Sequence, residues 1–300
     1  MAAKWHNFGD GTYALIGGSN IGVIAAEGRA VMIDSGLDKS SVKKALRAID
    51  QIGVTLEAVV ITHGHADHFG GAGWLAEQME MPVYAPGIEA AFVAHPLLEP
   101  LFLYGGAAPI AELRGKFTLA QHSVPDVKPL PVGRQEIAGW PLRVISLPGH
   151  APAQVGIGYG DATLFCGDAV FPPATLDRHP ILFCSDLDAW LETLTRLPTL
   201  SYARYVPGHG APLTDDIAAL AEQNTRRLRE KIPGALFQML LRGSNDEVLH
   251  AIATAYDITF SAPAFFRLAL TTIHAALTSL QRSGEAAILM EDNRILWRRT

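Results

Sequence analysis

Residues 62–71 read THGHADHFGG, and this stretch decides which fold and which chemistry the chain supports. Three histidines and an aspartate fall within six positions, although the whole chain of 300 residues contains only 11 histidines. The stretch follows residues 56–61 (LEAVVI), a largely apolar run that is typical of a buried strand. Loops at strand ends are held by a rigid scaffold, so we expect this histidine cluster to form a functional site.

The composition favours a folded enzyme rather than a disordered or membrane-spanning chain. Hydrophobic residues make up 49% of the sequence and charged residues 18%, with a net charge of -6, which suits a packed core. Cys166 and Cys184 form neither a CxxC motif nor a disulfide framework, which fits a reducing compartment. The first residues lack the apolar segment of a secretory signal, and no run reaches the roughly 18 apolar residues of a membrane span. We therefore expect a soluble cytoplasmic protein with no membrane partner.

Strand-like and helix-like patterns alternate through the first part of the chain, which predicts an α/β fold. Residues 38–53 (DKSSVKKALRAIDQIG) have apolar residues at helical spacing, and the final glycine is typical of a helix C-terminus. Residues 87–128 look irregular or loosely helical, and a connection of this length is unusual. The apolar stretch at 92–104 predicts either a lid that covers the substrate or an ordinary part of the core.

The pattern changes at about residue 219, so we predict a catalytic domain over residues 1–218 and a small helical C-terminal domain over residues 219–300. In the second domain, three helices are followed by a hairpin with an Asp-Asn turn, an order that resembles a winged helix. The predicted helices and hairpin are residues 234–241, 245–257, 263–284 and 285–300. A winged helix can bind DNA through its third helix.

Three further candidate ligands follow predicted strands, each next to a glycine. They are His150 in PGH, Asp168 in CGD and His209 in PGHG. With the first cluster they provide seven nitrogen or oxygen ligands, which is more than one tetrahedral metal ion requires and about right for two. Because all of these ligands are nitrogen or oxygen, we expect two divalent ions, with zinc as the default and iron or manganese as alternatives.

The spacing of the ligands suggests how two ions could be shared among them. His63 and His65 are two positions apart in an extended loop, so both rings can point toward one ion. Asp67 and His68 follow a turn and can face a second ion, while the two oxygens of Asp168 can bridge the pair. Such a centre can lower the pKa of a bridging water toward ~7 and produce a hydroxide that attacks a carbonyl or phosphoryl centre.

The order HxHxDH, then His, Asp and His resembles the pattern of the metallo-β-lactamase-fold hydrolase superfamily, over roughly residues 8–215. The resemblance implies a four-layered αβ/βα sandwich with the site at one edge. It also implies two groups of metal ligands and a bridging carboxylate. The first group is His63, His65 and His150, the second group is Asp67, His68 and His209, and the bridge is Asp168. Asp67 and Asp168 are the predicted catalytic carboxylates. Asp34 matches the acidic residue that orders the metal loops of this family without binding metal.

Within this superfamily, the sequence favours the branch that resembles glyoxalase II thioesterases, lactonases and ester hydrolases. Zinc β-lactamases generally lack an aspartate at the position of Asp168 and are exported, so we expect β-lactam hydrolysis only as a side activity. Lactonase-like members often carry a tyrosine soon after this aspartate, where the present chain has Phe171. The apolar part of the predicted lid and the loop AVFPPATL at 169–176 predict a small-molecule acyl or apolar substrate, in contact with Phe102, Phe171 and His179.

A different class of function is kept open by the predicted winged helix, namely phosphodiester hydrolysis by a nuclease or DNA binding by a regulator. The third predicted helix, residues 263–284, has only three basic residues, which are Arg267, His274 and Arg282. Phosphate contacts dominate nucleic-acid affinity and require several cations. We therefore expect this helix to pack on the catalytic domain or on a second copy of the chain, as a homodimer, and we rank nucleic acid below a small molecule as a partner.

Overall fold

The structure of the chain is a computed structural model that describes residues 4–214, 216–230 and 242–300. The first sheet has its strands in chain order: β1 Lys4–Asn7, β2 Thr12–Ile16, β3 Ile21–Ala26, β4 Arg29–Ile33, β5 Thr55–Val60, β6 Val83–Ala85 and β7 Val127–Pro129. The second sheet, ordered β12-β11-β10-β9-β8, contains β8 Gly133–Ile137, β9 Trp140–Ser146, β10 Val155–Tyr159, β11 Thr163–Gly167 and β12 Arg204–Pro207.

The helices described before residue 231 are α1 Lys39–Gln51, α2 Ala66–Phe69, α3 Ala72–Met79, α4 Glu89–Ala94, α5 Leu98–Leu103, α6 Pro173–Arg178, α7 Leu187–Arg196 and α8 Ile217–Arg229, with 3₁₀ turns at Ala111–Leu113 and Leu197–Leu200. The C-terminal region has helices Asn245–Ala255 and Pro263–Arg282 and a sheet ordered β13-β15-β14, formed by β13 Arg242–Gly243, β14 Ala286–Glu291 and β15 Arg294–Arg299. Of the helices in these described ranges, none is long and apolar enough to cross a membrane.

The central strands of the first sheet are apolar on both faces, because each face packs against a different layer. In β4, Val31 and Ile33 point toward the second sheet, while Ala30 and Met32 point toward the helices on the outer side. Successive side chains of a strand point to opposite faces, so a strand covered on both sides has a continuous apolar sequence. Helices α1 and α3 form that outer layer.

The second sheet repeats this arrangement from the other side. In β11, Phe165 packs in the core between the two sheets, and Leu164 and Cys166 pack in the core beneath the helices that follow this strand. The order of layers is therefore helix, sheet, sheet, helix. This confirms the predicted four-layered αβ/βα sandwich, with a helical region at its C-terminus.

The helix Pro263–Arg282, which we call the C-terminal helix, packs on the outer helical layer of the second sheet. Its Ile273 is fully buried in the same core as Trp190 of α7. Thr272 Oγ1 donates a hydrogen bond of 2.9 Å to the carbonyl oxygen of Leu182. These contacts agree with the expectation that the apolar helix packs on the preceding part of the chain.

The winged-helix interpretation of the C-terminal region stays a prediction. Its first predicted helix, residues 234–241, lies outside the described residues. The other two helices and the hairpin form close to the predicted positions. The hairpin turn residues Asp292 and Asn293 have φ angles of 46° and 60°, the left-handed conformation that a tight hairpin turn requires.

The segment 87–128, which we predicted to be a lid or an ordinary part of the core, contains α4, α5 and a 3₁₀ turn between β6 and β7. Val93, Leu103 and Leu113 are buried, so the inner side of the segment belongs to the core. Phe102 is 51% exposed on its outer side. A role of this segment as a lid stays a prediction.

Helix α8 is tied to the loop after β11 by one buried asparagine. Asn224 is fully buried on the apolar side of the helix. Its Oδ1 accepts a hydrogen bond from the Phe171 amide at 2.9 Å, and its Nδ2 donates one to the Phe171 carbonyl at 2.9 Å. The asparagine therefore satisfies both backbone groups of a residue that lies three positions after Asp168.

Replacing this asparagine with leucine, Asn224→Leu, leaves the amide and the carbonyl of Phe171 buried without these partners. Each unpaired group costs about 1–3 kcal/mol, so for the two groups we expect the free energy of unfolding to fall by about 2–6 kcal/mol. Urea denaturation followed by circular dichroism measures the change. The control is Gln223→Leu, on the exposed side of the same helix, which should change stability by less than about 0.5 kcal/mol. Equal stability of Asn224→Leu and the wild-type chain would contradict this account of α8.

Candidate metal centre

The seven predicted ligands meet at one edge of the sandwich, on the loops after β5, β9, β11 and β12. Their nitrogen and oxygen atoms form three groups, and within each group all atoms lie within 4.8 Å of one another. The groups are His63, His65 and His150; Asp67, His68 and His209; and His63, His68 and Asp168. The first two groups coincide with the two predicted metal groups, and the third places Asp168 between them.

Asp168 contacts histidines from both metal groups. Its Oδ2 lies 3.4 Å from His150 Nε2 and 3.2 Å from His209 Nε2. Its Oδ1 lies 3.4 Å from His68 Nε2. The side chain is only 5% exposed, so these imidazoles surround the carboxylate in place of water. This is the position that a bridging carboxylate requires.

In four of the five histidines, one ring nitrogen lies within hydrogen-bond distance of an oxygen atom of the protein. Their Nδ1 atoms lie 2.5–3.0 Å from these oxygens, and the pairs are His63 with Thr62 Oγ1, His68 with Asp34 Oδ2, His150 with the Phe183 carbonyl and His209 with the Gly18 carbonyl. An oxygen partner on one nitrogen orients the ring and leaves the other nitrogen for a metal. His65 differs, because its Nδ1 faces His150 Nε2 at 3.0 Å.

Asp34 contacts both ends of residues 62–68, which we call the histidine-rich loop. It is 3% exposed and has a left-handed backbone with φ of 59°. Its Oδ1 accepts a hydrogen bond from the Thr62 amide at 2.8 Å, and its Oδ2 accepts one from Thr62 Oγ1 at 2.9 Å. The same Oδ2 lies 2.9 Å from His68 Nδ1. The carboxylate therefore faces the backbone and the outer side of the imidazole, in agreement with the ordering role that the resemblance implied.

The two metal groups differ in the charge that their histidines carry in the metal-free chain. Burial lowers the pKa of His65 to about 3, assisted by the charge of His150, and burial lowers the pKa of His150 to about 4. Burial also opposes a proton on His209, but the charges of Asp168 and Asp67 outweigh it and raise the pKa of His209 to about 10. The first group is therefore neutral near pH 7, whereas protonated imidazole balances the carboxylates in the second.

The three residues predicted to contact substrate lie at different distances from the centre. Phe171 is 5% exposed, and its ring centroid lies 5.8 Å from that of His150 and 6.1 Å from that of His209. His179 follows α6 at the surface, where partial burial and the charge of His209 lower its pKa. Phe102 lines a cavity of about 390 Å³ between α5 and the C-terminal helix. Phe171 thus packs against the ligands, His179 lies near them and Phe102 faces a separate cavity.

The sequence patterns did not identify several residues that contact the centre, and Phe183 and Ser19 are two of them. The ring centroid of Phe183 lies 4.9 Å from that of His65. Ser19 Oγ donates a hydrogen bond of 2.8 Å to Asp67 Oδ2. Ser19 belongs to a glycine-rich turn, GGSN at residues 17–20, which is the local signal that could have found it. Nothing in the sequence around Phe183 marks that residue.

Comparison with known proteins identifies the family to which this centre belongs. Residues 15–209 match the Metallo-beta-lactamase superfamily. The chain is 29% identical to a hydroxyacylglutathione hydrolase of Xylella fastidiosa over 266 residues, which cover 87% of this chain and 84% of the relative. It is 27% identical to a probable metallo-hydrolase of Bacillus subtilis, YflN, over 208 residues, which cover 61% of this chain and 76% of the relative.

Solved structures share the fold along nearly the whole chain. A beta-lactamase domain protein from Burkholderia ambifaria has a TM-score of 0.76 at 20% identity, covering 99% of this chain and 94% of that one. A metallo-beta-lactamase family protein from Thermus thermophilus has a TM-score of 0.75 at 21% identity, covering 97% of this chain and 99% of that one. At these identities the likeness concerns the fold alone, whereas the family match spans more than half of the sequence. The chain therefore belongs to the metallo-beta-lactamase superfamily and is a hydrolase.

Proposed function

We propose that the chain is a binuclear metal-dependent hydrolase that acts on the carbonyl group of an ester, thioester or lactone. The observation that carries the proposal is a set of three buried polar atoms, His63 Nε2, His68 Nε2 and Asp168 Oδ1, that make no hydrogen bond of good geometry to the described residues, although the last two face each other at 3.4 Å. A buried polar atom left unpaired costs about 1–3 kcal/mol. Divalent ions would satisfy all three atoms, since imidazole nitrogen and carboxylate oxygen are both suitable ligands.

The donor set divides between two ions in a simple way. The three histidines of the first group would hold one ion, the second group would hold the other, and Asp168 would contact both. Because every donor is nitrogen or oxygen, zinc is the first choice, and iron and manganese are the alternatives. Neither cysteine belongs to these groups of candidate ligands, and both Cys166 and Cys184 are buried in the apolar core.

Two bound divalent ions would polarise a substrate carbonyl and lower the pKa of water at the centre. The chain orients the groups that handle protons. The side chain of Asp67 is 20% exposed against 5% for Asp168, so Asp67 is the carboxylate that faces the open side. Ser19 Oγ and His209 Nε2 lie 2.8 Å and 3.3 Å from Asp67 Oδ2 and hold this oxygen in place. Although burial opposes its ionisation, the charge of His68 lowers the pKa of Asp67, so this carboxylate stays ionised and can orient an attacking water by accepting a hydrogen bond from it.

Support for an acyl substrate comes from the relatives and from the walls of the site. The relative from Xylella fastidiosa is named a hydroxyacylglutathione hydrolase, which describes the hydrolysis of an acyl compound. The rings of Phe183 and Phe171 pack against histidines of the first group and give the centre an apolar wall. An apolar wall suits an acyl or aromatic group better than it suits a chain of phosphates.

The phosphodiesterase and DNA-binding alternatives rank second, because the arginines of the C-terminal helix have partners within the protein. Arg282 Nη1 lies 3.2 Å from an oxygen of Asp186 and 2.9 Å from an oxygen of Asp188. The guanidinium of Arg267 lies over the ring of Tyr104, 5.1 Å from its centroid. A surface for nucleic acid requires several cations that are available to phosphates.

Gly208 allows the backbone before His209 to approach the centre closely. A Cβ atom at this position would overlap with Asp168 Oδ1 and would lie 2.7 Å from His68 Cε1. Neither neighbour can move away without disturbing the group to which it belongs. The site therefore depends on glycine at this position.

The variant Gly208→Ala should displace Asp168 or His68 and lower the metal content from about two ions to about one or fewer per chain. Inductively coupled plasma mass spectrometry on zinc-loaded protein after gel filtration measures this content. Gly115→Ala is the matched control, because a Cβ atom there meets nothing within 4 Å. A full complement of zinc in Gly208→Ala would contradict the proposed arrangement of ligands.

The variant His65→Ala should lose turnover by about 100-fold or more while it keeps most of the fold, because the first ion loses a ligand. Initial rates of metal-loaded protein are measured on a lactone, an acyl thioester, an aryl ester, a bis-aryl phosphodiester and a β-lactam. His250→Ala, an exposed histidine of the helix Asn245–Ala255, is the control and should behave as wild type.

A preference for one carbonyl substrate, lost in His65→Ala and kept in His250→Ala, is the expected outcome. Activity chiefly on the phosphodiester would reverse the ranking of the two classes of substrate. Full activity of His65→Ala on every substrate would show that the two-metal proposal is wrong.

A further inference from the structure

Two buried glutamates of the 87–128 segment reach the histidine-rich loop. Glu89, the first residue of α4, is 1% exposed, and Glu99 in α5 is 6% exposed. Within the described ranges, no lysine or arginine pairs with either carboxyl group. Burial raises the pKa of both groups, and the charge of Asp67 raises that of Glu99 further. A buried acidic group lowers the stability of the folded chain unless strong hydrogen bonds compensate for its loss of contact with water.

Glu89 joins the two loops that carry the first metal group. Its Oε2 accepts a hydrogen bond of 2.9 Å from the amide of Gly64, which lies between two histidines of the loop. Its Oε1 accepts a hydrogen bond of 2.7 Å from the amide of Ala153, three residues after His150. One carboxyl group therefore fixes the spacing between the histidine-rich loop and the His150 loop.

Glu99 holds the next part of the same loop. Its Oε2 accepts a hydrogen bond of 3.0 Å from the amide of Ala66, which begins α2 and precedes Asp67 and His68. The amides of Gly64 and Ala66 lie beyond the end of β5, where no neighbouring strand can accept from them. The two glutamates thus replace the hydrogen bonds of a sheet at the point where the ligands begin.

Helix α4 lies directly on the loop, because Gly64 has no side chain. A Cβ atom at this position would lie 2.8 Å from Phe92 Cβ and 2.9 Å from Glu89 Oε2. A contact this close excludes water from between the helix and the loop. An outward movement of α4 would therefore leave the Gly64 amide and the carboxyl group of Glu89 to find new partners.

We propose that Glu89 and Glu99 are positioning residues for the metal centre, and that α4 and α5 are a fixed part of its scaffold rather than a moving lid. This inference rests on the proposed metal-binding function. Asp34 fixes the two ends of the histidine-rich loop, and the two glutamates fix its middle. Groups that orient ligands in this way typically change metal affinity by about 10–100-fold.

The test is the dissociation constant for zinc of each variant, measured by competition with a chromophoric chelator. Glu89 accepts from two amides, and a carboxamide has one acceptor oxygen, so neither Glu89→Ala nor Glu89→Gln preserves both hydrogen bonds. Glu99 accepts from one amide, so Glu99→Gln preserves its hydrogen bond and Glu99→Ala does not. We expect zinc to bind about 10–100-fold more weakly in Glu89→Ala, Glu89→Gln and Glu99→Ala, and with unchanged affinity in Glu99→Gln.

Hydrogen exchange of the metal-free chain provides a second readout that does not depend on metal or activity. Peptides covering residues 62–71 and 148–154 should exchange faster in Glu89→Gln than in the wild-type chain. Glu112→Gln, an exposed glutamate of the same segment, is the matched control and should change neither measurement.

Zinc affinities within about twofold of wild type in Glu89→Gln and Glu99→Ala, together with unchanged exchange, would overturn the inference. Failure of the wild-type chain itself to bind zinc would instead overturn the proposed function. In that event the exchange of the metal-free variants still decides whether the glutamates hold the loop, so the two failures are distinguishable.

Discussion

Three histidines within six positions can converge on one centre only if the backbone that carries them is held at several points. The structure supplies these points as carboxyl groups outside the ligand set. Asp34 holds Thr62 and His68, and Glu89 and Glu99 hold the amides between them. Of the ligands outside this loop, Asp168 and His209 lie within two residues of a strand end, and the loop that carries His150 is held by the hydrogen bond from the Ala153 amide to Glu89.

Charge is the second constraint on the centre. Two carboxylates and five imidazoles lie together with little access to water, so the carboxylates need positive charge close to them. In the metal-free chain this charge comes from protons, which is why the pKa of His209 rises to about 10 while burial lowers the pKa of His65 to about 3. The buried Nε2 atom of His63, which has no hydrogen-bond partner among the described residues, points to a stronger source of positive charge.

Local sequence signals were sufficient to predict which side chains would come together at the centre, and the family resemblance was sufficient to predict the layers. Glycine-flanked histidines after apolar runs predicted where these side chains would meet, and the alternation of strand-like and helix-like patterns predicted an α/β fold. Long-range contacts were not predictable in this way. Glu89 bonds to Ala153, 64 residues away, and an acidic residue in a helical pattern normally indicates a solvent-exposed face. Strand β7 was missed because three residues that include a proline give too short a pattern.

Anomalous diffraction from crystals of the zinc-loaded chain, recorded on both sides of the zinc absorption edge, tests most directly whether two ions lie among these residues. We predict two anomalous peaks, both in contact with Asp168. The first peak should lie beside His63, His65 and His150. The second peak should lie beside Asp67, His68 and His209. A single peak, or peaks that do not contact these side chains, would contradict the binuclear centre on which the proposed chemistry depends.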